Sequence, residues 1–195
     1  MIIFIDRQHS GQINKVKARG AVIDANDDGK ITAEEMEAIW TGRLSIELEI
    51  KLLDLGFDVI PISDGKYSER HVRVNKYAES HPGPWVYLAM HLNAGGGNYG
   101  SYFYDYRSKQ GQQLATILAQ HLKNVVPQLE KTKAIECNPT NWTKNAFYTI
   151  RNVARPVGIC CEPFFIDTHK SLLSIPNIIK VANSMALGIQ EWSRK

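Results

Sequence analysis

The chain has 195 residues and a formal net charge of +3, with 44% hydrophobic and 22% charged residues. These values are typical of one globular domain and exclude a disordered tail or a fibrous repeat protein. No apolar run approaches the roughly 18 residues of a membrane-spanning helix. The chain opens on the short apolar run Ile2–Ile5 without a basic stretch or a cleavage site, so we expect no secretory signal peptide.

In chain order, alternating apolar runs and amphipathic segments predict strands over 1–6, 57–62, 85–91, 101–106 and 157–161, and helices over 32–55, 69–80, 110–125 and 178–192. Gly56 is the expected stop of the first helix. Strands that alternate with helices predict a single-domain α/β fold, with a twisted, mainly parallel sheet flanked by helices on both faces. In such sheets, functional side chains gather where the strands end.

The charge and the cysteines constrain the partners and the redox state. Residues 24–35 carry five acids and one base, so the remaining chain has a net charge of about +7. A basic body suits an anionic partner such as a cell-wall polymer or nucleic acid, and ordinary solubility explains it equally well. The cysteines Cys137, Cys160 and Cys161 are odd in number and two are adjacent, which argues against a disulfide framework and favours reduced core residues.

Residues 24–35 match the loop of an EF-hand, with Gly29 at the sharp turn. The predicted calcium ligands are Asp24, Asn26, Asp28, Lys30 through its backbone carbonyl, Thr32 through water, and Glu35 as the closing bidentate carboxylate. An acidic turn that caps the following helix, with Thr32 as N-cap, is the alternative. An EF-hand loop normally follows a helix and occurs in pairs. Here the preceding segment contains Gly20 and does not have a helical pattern, and no second loop follows. We therefore predict an isolated EF-hand-like loop inserted into another fold.

A second constellation is spread along the chain. His9 follows the first predicted strand, His91 lies at the end of the third, and Glu162 follows the last. Polar residues at three strand exits can converge on one point. Two imidazoles and a carboxylate are the ligand set of a catalytic zinc site, in which water takes the fourth position.

The order of the motifs resembles the type-3 family of zinc-dependent N-acetylmuramoyl-L-alanine amidases. The matching segments are Asp6-Arg7-Gln8-His9-Ser10, Gly20-Ala21, an Arg and Asn pair for which Arg73 and Asn75 are candidates, His91-Leu92-Asn93-Ala94, and Glu162-Pro163-Phe164-Phe165. The resemblance covers nearly the whole chain. It departs from the family pattern at Gln8, where the family has a glycine before the histidine.

The resemblance implies that Zn²⁺ is held by His9, His91 and a glutamate that opens a long helix. The glutamates considered are Glu34, Glu35, Glu37, Glu47 and Glu49. Helical phase places Glu37 on the same side as Leu44 and Leu48, the side expected to face the sheet, so we choose Glu37, with Glu34 next. Glu162 resembles the family's catalytic glutamate, which takes a proton from water and passes it to the leaving amine.

The function implied is hydrolysis of the amide between N-acetylmuramic acid and L-alanine in bacterial peptidoglycan, by a monomer that uses Zn²⁺ and Ca²⁺. The missing signal peptide fits a phage endolysin, which stays in the host cytoplasm until lysis and then reaches the cell wall, and it also fits a bacterial autolysin freed when a mother cell lyses. We expect no separate wall-binding domain, nucleic-acid partner or membrane insertion. The alternatives are another zinc peptidase or deacylase, and a non-catalytic calcium-dependent wall-binding module.

Other polar and aromatic residues are expected to be structural. The histidines outside the motifs are expected in the core or on the surface; they are His71, His81, His121 and His169. The aromatic strand Tyr102–Tyr106 is expected to bury one face, with a sugar-binding platform as the alternative.

Overall fold

The computed structural model describes residues 1–7, 37–63, 65–140, 142–154 and 156–195. The predicted calcium loop 24–35 lies outside the described residues, as do His9 and its neighbour Gln8.

The described part of the chain contains six strands and five α-helices. The strands are β1 (Ile2–Arg7), β2 (Asp58–Ile62), β3 (Trp85–Met90), β4 (Tyr99–Asp105), β5 (Lys131–Cys137) and β6 (Val157–Glu162). The helices are α1 (Glu37–Asp54), α2 (Tyr67–Ser80), α3 (Lys109–Val125), α4 (Lys144–Ile150) and α5 (Ile175–Trp192), with a short 3-10 helix at Lys170–Leu172.

The strands form one sheet in the order β2-β1-β3-β6-β4-β5. Four of the five pairings are parallel, and β4 runs antiparallel to β6, with Ser101 opposite Glu162. The predicted α/β class with a mainly parallel sheet is confirmed. The reversal at β4 brings the first residues of β4 to the same edge of the sheet as the last residues of β1, β3 and β6.

Helices cover both faces of the sheet, as predicted. Successive side chains of a strand point to opposite faces, so Ile3 and Ile5 pack in one core with α1, α3 and α5, and Phe4 packs in the other with α2 and α4. Cys137, Cys160 and Cys161 are free and buried, as expected for core residues of a reduced protein. In the described residues, none of the helices combines the length and apolar composition needed to cross a bilayer.

The element boundaries differ from the predicted ones by a few residues, and two elements were not predicted. The structure places α1 at Glu37–Asp54, whereas residues 32–36 of the predicted helix lie outside the described part. β5 and α4 were missed. β5 alternates exposed Lys131 and Lys133 with half-buried residues, which is typical of a charged edge strand rather than of an apolar one.

Candidate active site

The candidate site lies at the edge of the sheet where β1, β3 and β6 end. Asp6 is the penultimate residue of β1, His91 follows β3 directly, and Glu162 is the last residue of β6. The pairing of Asp6 with Ala89 and of Met90 with Cys161 sets these three strand ends level with one another. Glu37 reaches the same edge from α1, in whose first turn it lies.

Glu37 and His91 are in contact. Oε1 of Glu37 lies 3.1 Å from Nδ1 of His91 and accepts a second hydrogen bond, also 3.1 Å long, from the backbone N–H of Leu92. Glu37 is only 4% exposed, because the buried stripe of α1 that contains Leu44 and Leu48 turns it toward the sheet. The placement of Glu37 beside His91 agrees with the orientation inferred from helical phase.

Negative charge surrounds the His91 ring. Burial by itself lowers the pKa of His91, but the hydrogen bond and charge of Glu37, with smaller contributions from Glu162 and Asp6, raise it above its ordinary value. This end of the sheet therefore favours a positive charge at or near His91.

The chemistry of these two side chains fits a zinc site in part. Bonds of about 2.0–2.2 Å to a tetrahedral Zn²⁺ place neighbouring ligand atoms about 3.3 Å apart. The 3.1 Å between Nδ1 and Oε1 is close to that separation. Within the described residues, no three potential ligand side chains gather closely enough to hold a metal ion, and the third predicted ligand, His9, lies outside them.

Glu162 is a buried acid beside this pair. Burial raises its pKa, the positive charge of His91 lowers it, Glu37 raises it again, and the pKa of Glu162 reaches about 7. A carboxyl group with this pKa gives up and takes back a proton readily at neutral pH. Ser101, its partner across β4 and β6, is fully buried, and its hydroxyl has no hydrogen-bond partner among the described residues.

A buried ion pair supports the same edge of the sheet. Asp6 is fully buried; its Oδ1 accepts a 2.6 Å bond from Nη1 of Arg70, and its Oδ2 accepts a hydrogen bond from the hydroxyl of Tyr87. Arg70 also donates from Nε to the carbonyl of Gly65 at 3.0 Å. Since both oxygens of Asp6 are engaged within the protein, Asp6 acts as a support of the site.

The segment after His91 forms a glycine loop, defined here as residues 93–97. The carboxylate of Asp167 accepts hydrogen bonds from the backbone N–H groups of Gly95 (2.7 Å) and Gly96 (3.0 Å). Both glycines have positive φ, which favours glycine. At Gly97 the Phe165 ring is so close that an added Cβ would clash with it. Glycines here let the loop lie against the segment that follows Glu162.

An open cleft of about 420 Å³ lies beside Glu162. Its lining includes the glycine loop, Phe165, Trp142 just before α4, and Asn145 in the first turn of α4. Glu162 is therefore accessible to a substrate of moderate size although most of its surface is buried.

No protein-family model matches the chain, and no curated protein matches it in sequence. Solved structures do match it. An N-acetylmuramoyl-L-alanine amidase from Clostridium difficile 630 superposes with a TM-score of 0.74 at 17% identity, over all of this chain and 97% of that one. The chain has the fold of the N-acetylmuramoyl-L-alanine amidases.

Two further structures bear on the extent of the match. Cwp6 from Clostridium difficile gives a TM-score of 0.73 at 18% identity over 97% of this chain, which spans only 29% of the Cwp6 chain. The catalytic domain of the CD27L endolysin, which targets Clostridium difficile, gives 0.58 at 19% identity, with 95% of this chain and 96% of that domain covered. Both matches extend over at least 95% of this chain.

On this amidase fold, the other sequence-predicted residues have separate places. Arg73 is exposed, and the buried arginine of α2 is Arg70. Asn75 accepts from the N–H of Ala154 and donates to the carbonyl of Asn152, so it holds the segment before β6. The two remaining candidate glutamates of α1 are half-buried, and Glu49 pairs with Arg7 at 2.5 Å.

The histidines outside the motifs have structural or surface positions, as expected. His71 and His169 are buried, with Nε2 of His71 2.9 Å from the carbonyl of Thr149 and Nε2 of His169 2.8 Å from Oδ1 of Asn98. His81 stacks on Tyr77, and His121 contacts Glu191.

The aromatic strand does not offer a platform to ligands. Tyr102, Phe103 and Tyr104 are all buried, so both faces of β4 are covered rather than one. Sequence reasoning also missed Trp142, which follows the unpredicted strand β5. The one signal for it was a tryptophan among polar residues, Asn141 and Thr143, where no apolar core segment was expected.

Proposed function

We propose that this protein is a peptidoglycan hydrolase that cleaves the amide bond between N-acetylmuramic acid and L-alanine. The observation that carries the proposal is the contact of Glu37 with His91 beside Glu162, a buried carboxyl group with a pKa of about 7 that opens onto a cleft. The amidase fold along the whole chain supports the choice of substrate.

We propose that Glu37, His91 and His9 hold Zn²⁺. The negative surroundings of His91 and the 3.1 Å separation of its Nδ1 from Oε1 of Glu37 support this assignment. A bound Zn²⁺ supplies Lewis-acid chemistry, which polarises the scissile carbonyl group and makes water more acidic.

Glu162 then serves as general base and general acid. Its ionised carboxylate takes a proton from the attacking water, and the resulting carboxylic acid gives that proton to the nitrogen of the departing L-alanine. In the metal-free protein burial raises the pKa of Glu162 to about 7, so the protonated form that the second step requires is accessible. Burial excludes bulk water, which strengthens the interactions of the carboxyl group with charges that develop during the reaction.

We further propose that the protein acts as an endolysin, bound to the cell wall through its own basic surface. The endolysin catalytic domain of the same fold supports this assignment, as does the net charge of about +7 outside residues 24–35.

The proposal is tested by assaying purified peptidoglycan sacculi for newly exposed amino groups of L-alanine in the presence of Zn²⁺. We expect Glu162→Gln to lower turnover about 10²- to 10⁴-fold, because the amide cannot act as an acid or base. Glu136→Gln, a matched change at an exposed glutamate of β5, serves as the control. New reducing sugar ends should not appear.

Zinc content separates the roles of the residues. Glu162→Gln should keep the zinc stoichiometry of the unaltered protein, whereas Glu37→Gln should lose it. A Glu162 variant that loses zinc would assign Glu162 to the metal, and intact sacculi after treatment with the unaltered, zinc-loaded protein would exclude the amidase proposal.

A further inference from the structure

Trp142 is an exposed tryptophan on the wall of the catalytic cleft. Its side chain is 69% exposed, whereas large aromatic side chains are usually buried. It lines the same cleft as Glu162, so a molecule bound near Glu162 can contact the indole ring. The exposure of so much apolar surface next to a buried acid points to a ligand that covers it.

The position of Trp142 is fixed by its neighbours. Its ring meets Phe103 of β4 edge to face, with centroids 6.1 Å apart. The adjacent Thr143 is buried, and its hydroxyl accepts a 3.2 Å hydrogen bond from the N–H of Asn138, which ties the two ends of the segment together. Because the ring is already held in place, a ligand would not have to order it.

The polar groups beside the ring suit a particular ligand. Asn145 lines the same cleft, and its exposed amide offers both a donor and an acceptor. A pyranose ring has an apolar face of C–H groups, and an N-acetyl substituent adds an amide that pairs with another amide. An exposed indole ring and an exposed carboxamide on the same cleft therefore match an N-acetylated sugar.

Other exposed aromatic rings lack this combination. Tyr148 is 4.1 Å from the guanidinium of Arg151, measured to the ring centroid, and Tyr106 is 5.4 Å from that of Arg107. Both lie away from the cleft that contains Glu162. Among the described residues, no lysine or arginine lies over the ring of Trp142.

We propose that Trp142 and Asn145 form a saccharide subsite that stacks and hydrogen-bonds an N-acetylated sugar ring of the glycan strand beside Glu162. The subsite rests on the proposed function for its substrate class. The glycine loop also lines this cleft and has no side chains at Gly95–Gly97, which leaves room for the peptide.

The test measures binding without catalysis. The probe is chitotetraose, a peptide-free tetramer of N-acetylglucosamine, and the readouts are calorimetry and tryptophan fluorescence. We expect the unaltered protein to bind it, Trp142→Ala to weaken binding about tenfold or more, and Trp142→Phe to retain part of the affinity, since a smaller ring still stacks. Asn145→Ala should weaken binding less, and Tyr148→Ala, the matched exposed aromatic, should leave the affinity unchanged.

The outcomes separate the subsite from the amidase proposal. If sacculi remain intact but chitotetraose binding depends on Trp142, the amidase proposal fails and the subsite stands. If sacculi are cleaved and the Trp142 variants bind and cleave like the unaltered protein, the subsite is overturned. Absence of chitotetraose binding at millimolar concentration also overturns it. Thermal unfolding of each variant, with Trp142→Phe as the milder change, checks that lost binding does not reflect lost folding.

Discussion

Glu162 is largely buried, but the proposed reaction uses its ionised carboxylate. Burial disfavours that ionised form. In the unfolded chain its carboxyl group ionises with a pKa near the ordinary value of 4.5, but in the folded protein burial raises the pKa to about 7. Between these values the unfolded state holds the charge more easily than the folded state. Glu162 therefore destabilises the metal-free protein as the pH rises from 4.5 to 7.

We predict that Glu162→Gln makes the metal-free protein more stable at pH 8. The raised pKa sets an upper limit of about 3 kcal/mol on the gain in the free energy of unfolding, since one pKa unit corresponds to about 1.4 kcal/mol. Below pH 4.5 the carboxyl group of Glu162 is mostly protonated in both the folded and the unfolded protein. The gain in stability should therefore vanish there. Urea unfolding from pH 4 to pH 8 in the presence of a chelator measures it.

Glu136→Gln, the same change at an exposed glutamate of β5, is the control for this pH series. A Glu162→Gln gain that stays constant across the pH range would show that it arises from packing and not from the titration of Glu162. A variant less stable than the unaltered protein at pH 8 would contradict the prediction directly.

The sequence predicts a site residue where a local pattern determines the position of the residue or the side of the helix on which it lies. His91 and Glu162 were expected at strand ends, and helical phase turned Glu37 toward the sheet; the structure places these residues together. The pairing of Asp6 with Arg70 is different, because the two residues are 64 positions apart and neither has a local signal for the other. Such a pair follows from the assembled fold alone.

At the scale of elements, two buried polar contacts help to hold α2 in place. The residues of its inner face are Arg70, Val74 and Ala78, spaced by one helical turn, with His71 beside them. Of these, only Val74 and Ala78 are apolar. The ion pair from Arg70 to Asp6 of β1 and the hydrogen bond from His71 to the carbonyl of Thr149 in α4 add to the packing of Tyr77 against Phe4.

We predict that Arg70→Met destabilises the protein by about 3–5 kcal/mol, because it leaves the carboxylate of Asp6 buried without its partner. Asp6→Asn in the same protein should recover part of the loss, since the neutral amide is less costly to bury. Denaturant unfolding of both single variants and the double variant completes the cycle. Arg73→Met, an exposed arginine of the same helix, is the matched control. If the stability losses of the two single variants add up to the loss of the double variant, Arg70 and Asp6 do not stabilise each other.

The elements that were missed had weaker or different signals. β5 is a charged edge strand, so it lacks the apolar run that marks a buried strand. The antiparallel direction of β4 had a usable signal. Only eight residues link β3 to β4, and a parallel crossover needs a dozen or more. The chain therefore stays at the same edge of the sheet and returns in the opposite direction.

At the scale of the whole molecule, the charge is divided between an acidic segment and a basic remainder. Residues 24–35 contain five acids, and without a cation these like charges repel one another. We propose that this segment binds Ca²⁺ through the residues of its EF-hand pattern. A ligand that binds only the folded state stabilises the whole domain, by about 2.7 kcal/mol at a hundred times its Kd.

We predict that Ca²⁺, added at constant Zn²⁺, raises the melting temperature by about 5–10 °C, as that free energy implies for a domain of this size. Asp24→Asn should abolish most of the increase, because Asp24 is the first ligand of the pattern. Asp27→Asn removes the same charge from the fourth position, which supplies no ligand, and should keep the increase. Thermal unfolding with and without Ca²⁺ compares the three proteins. If both variants lose the increase in melting temperature equally, net charge and not coordination produces the effect. If Ca²⁺ does not change the melting temperature of the unaltered protein, residues 24–35 act as an acidic helix cap instead.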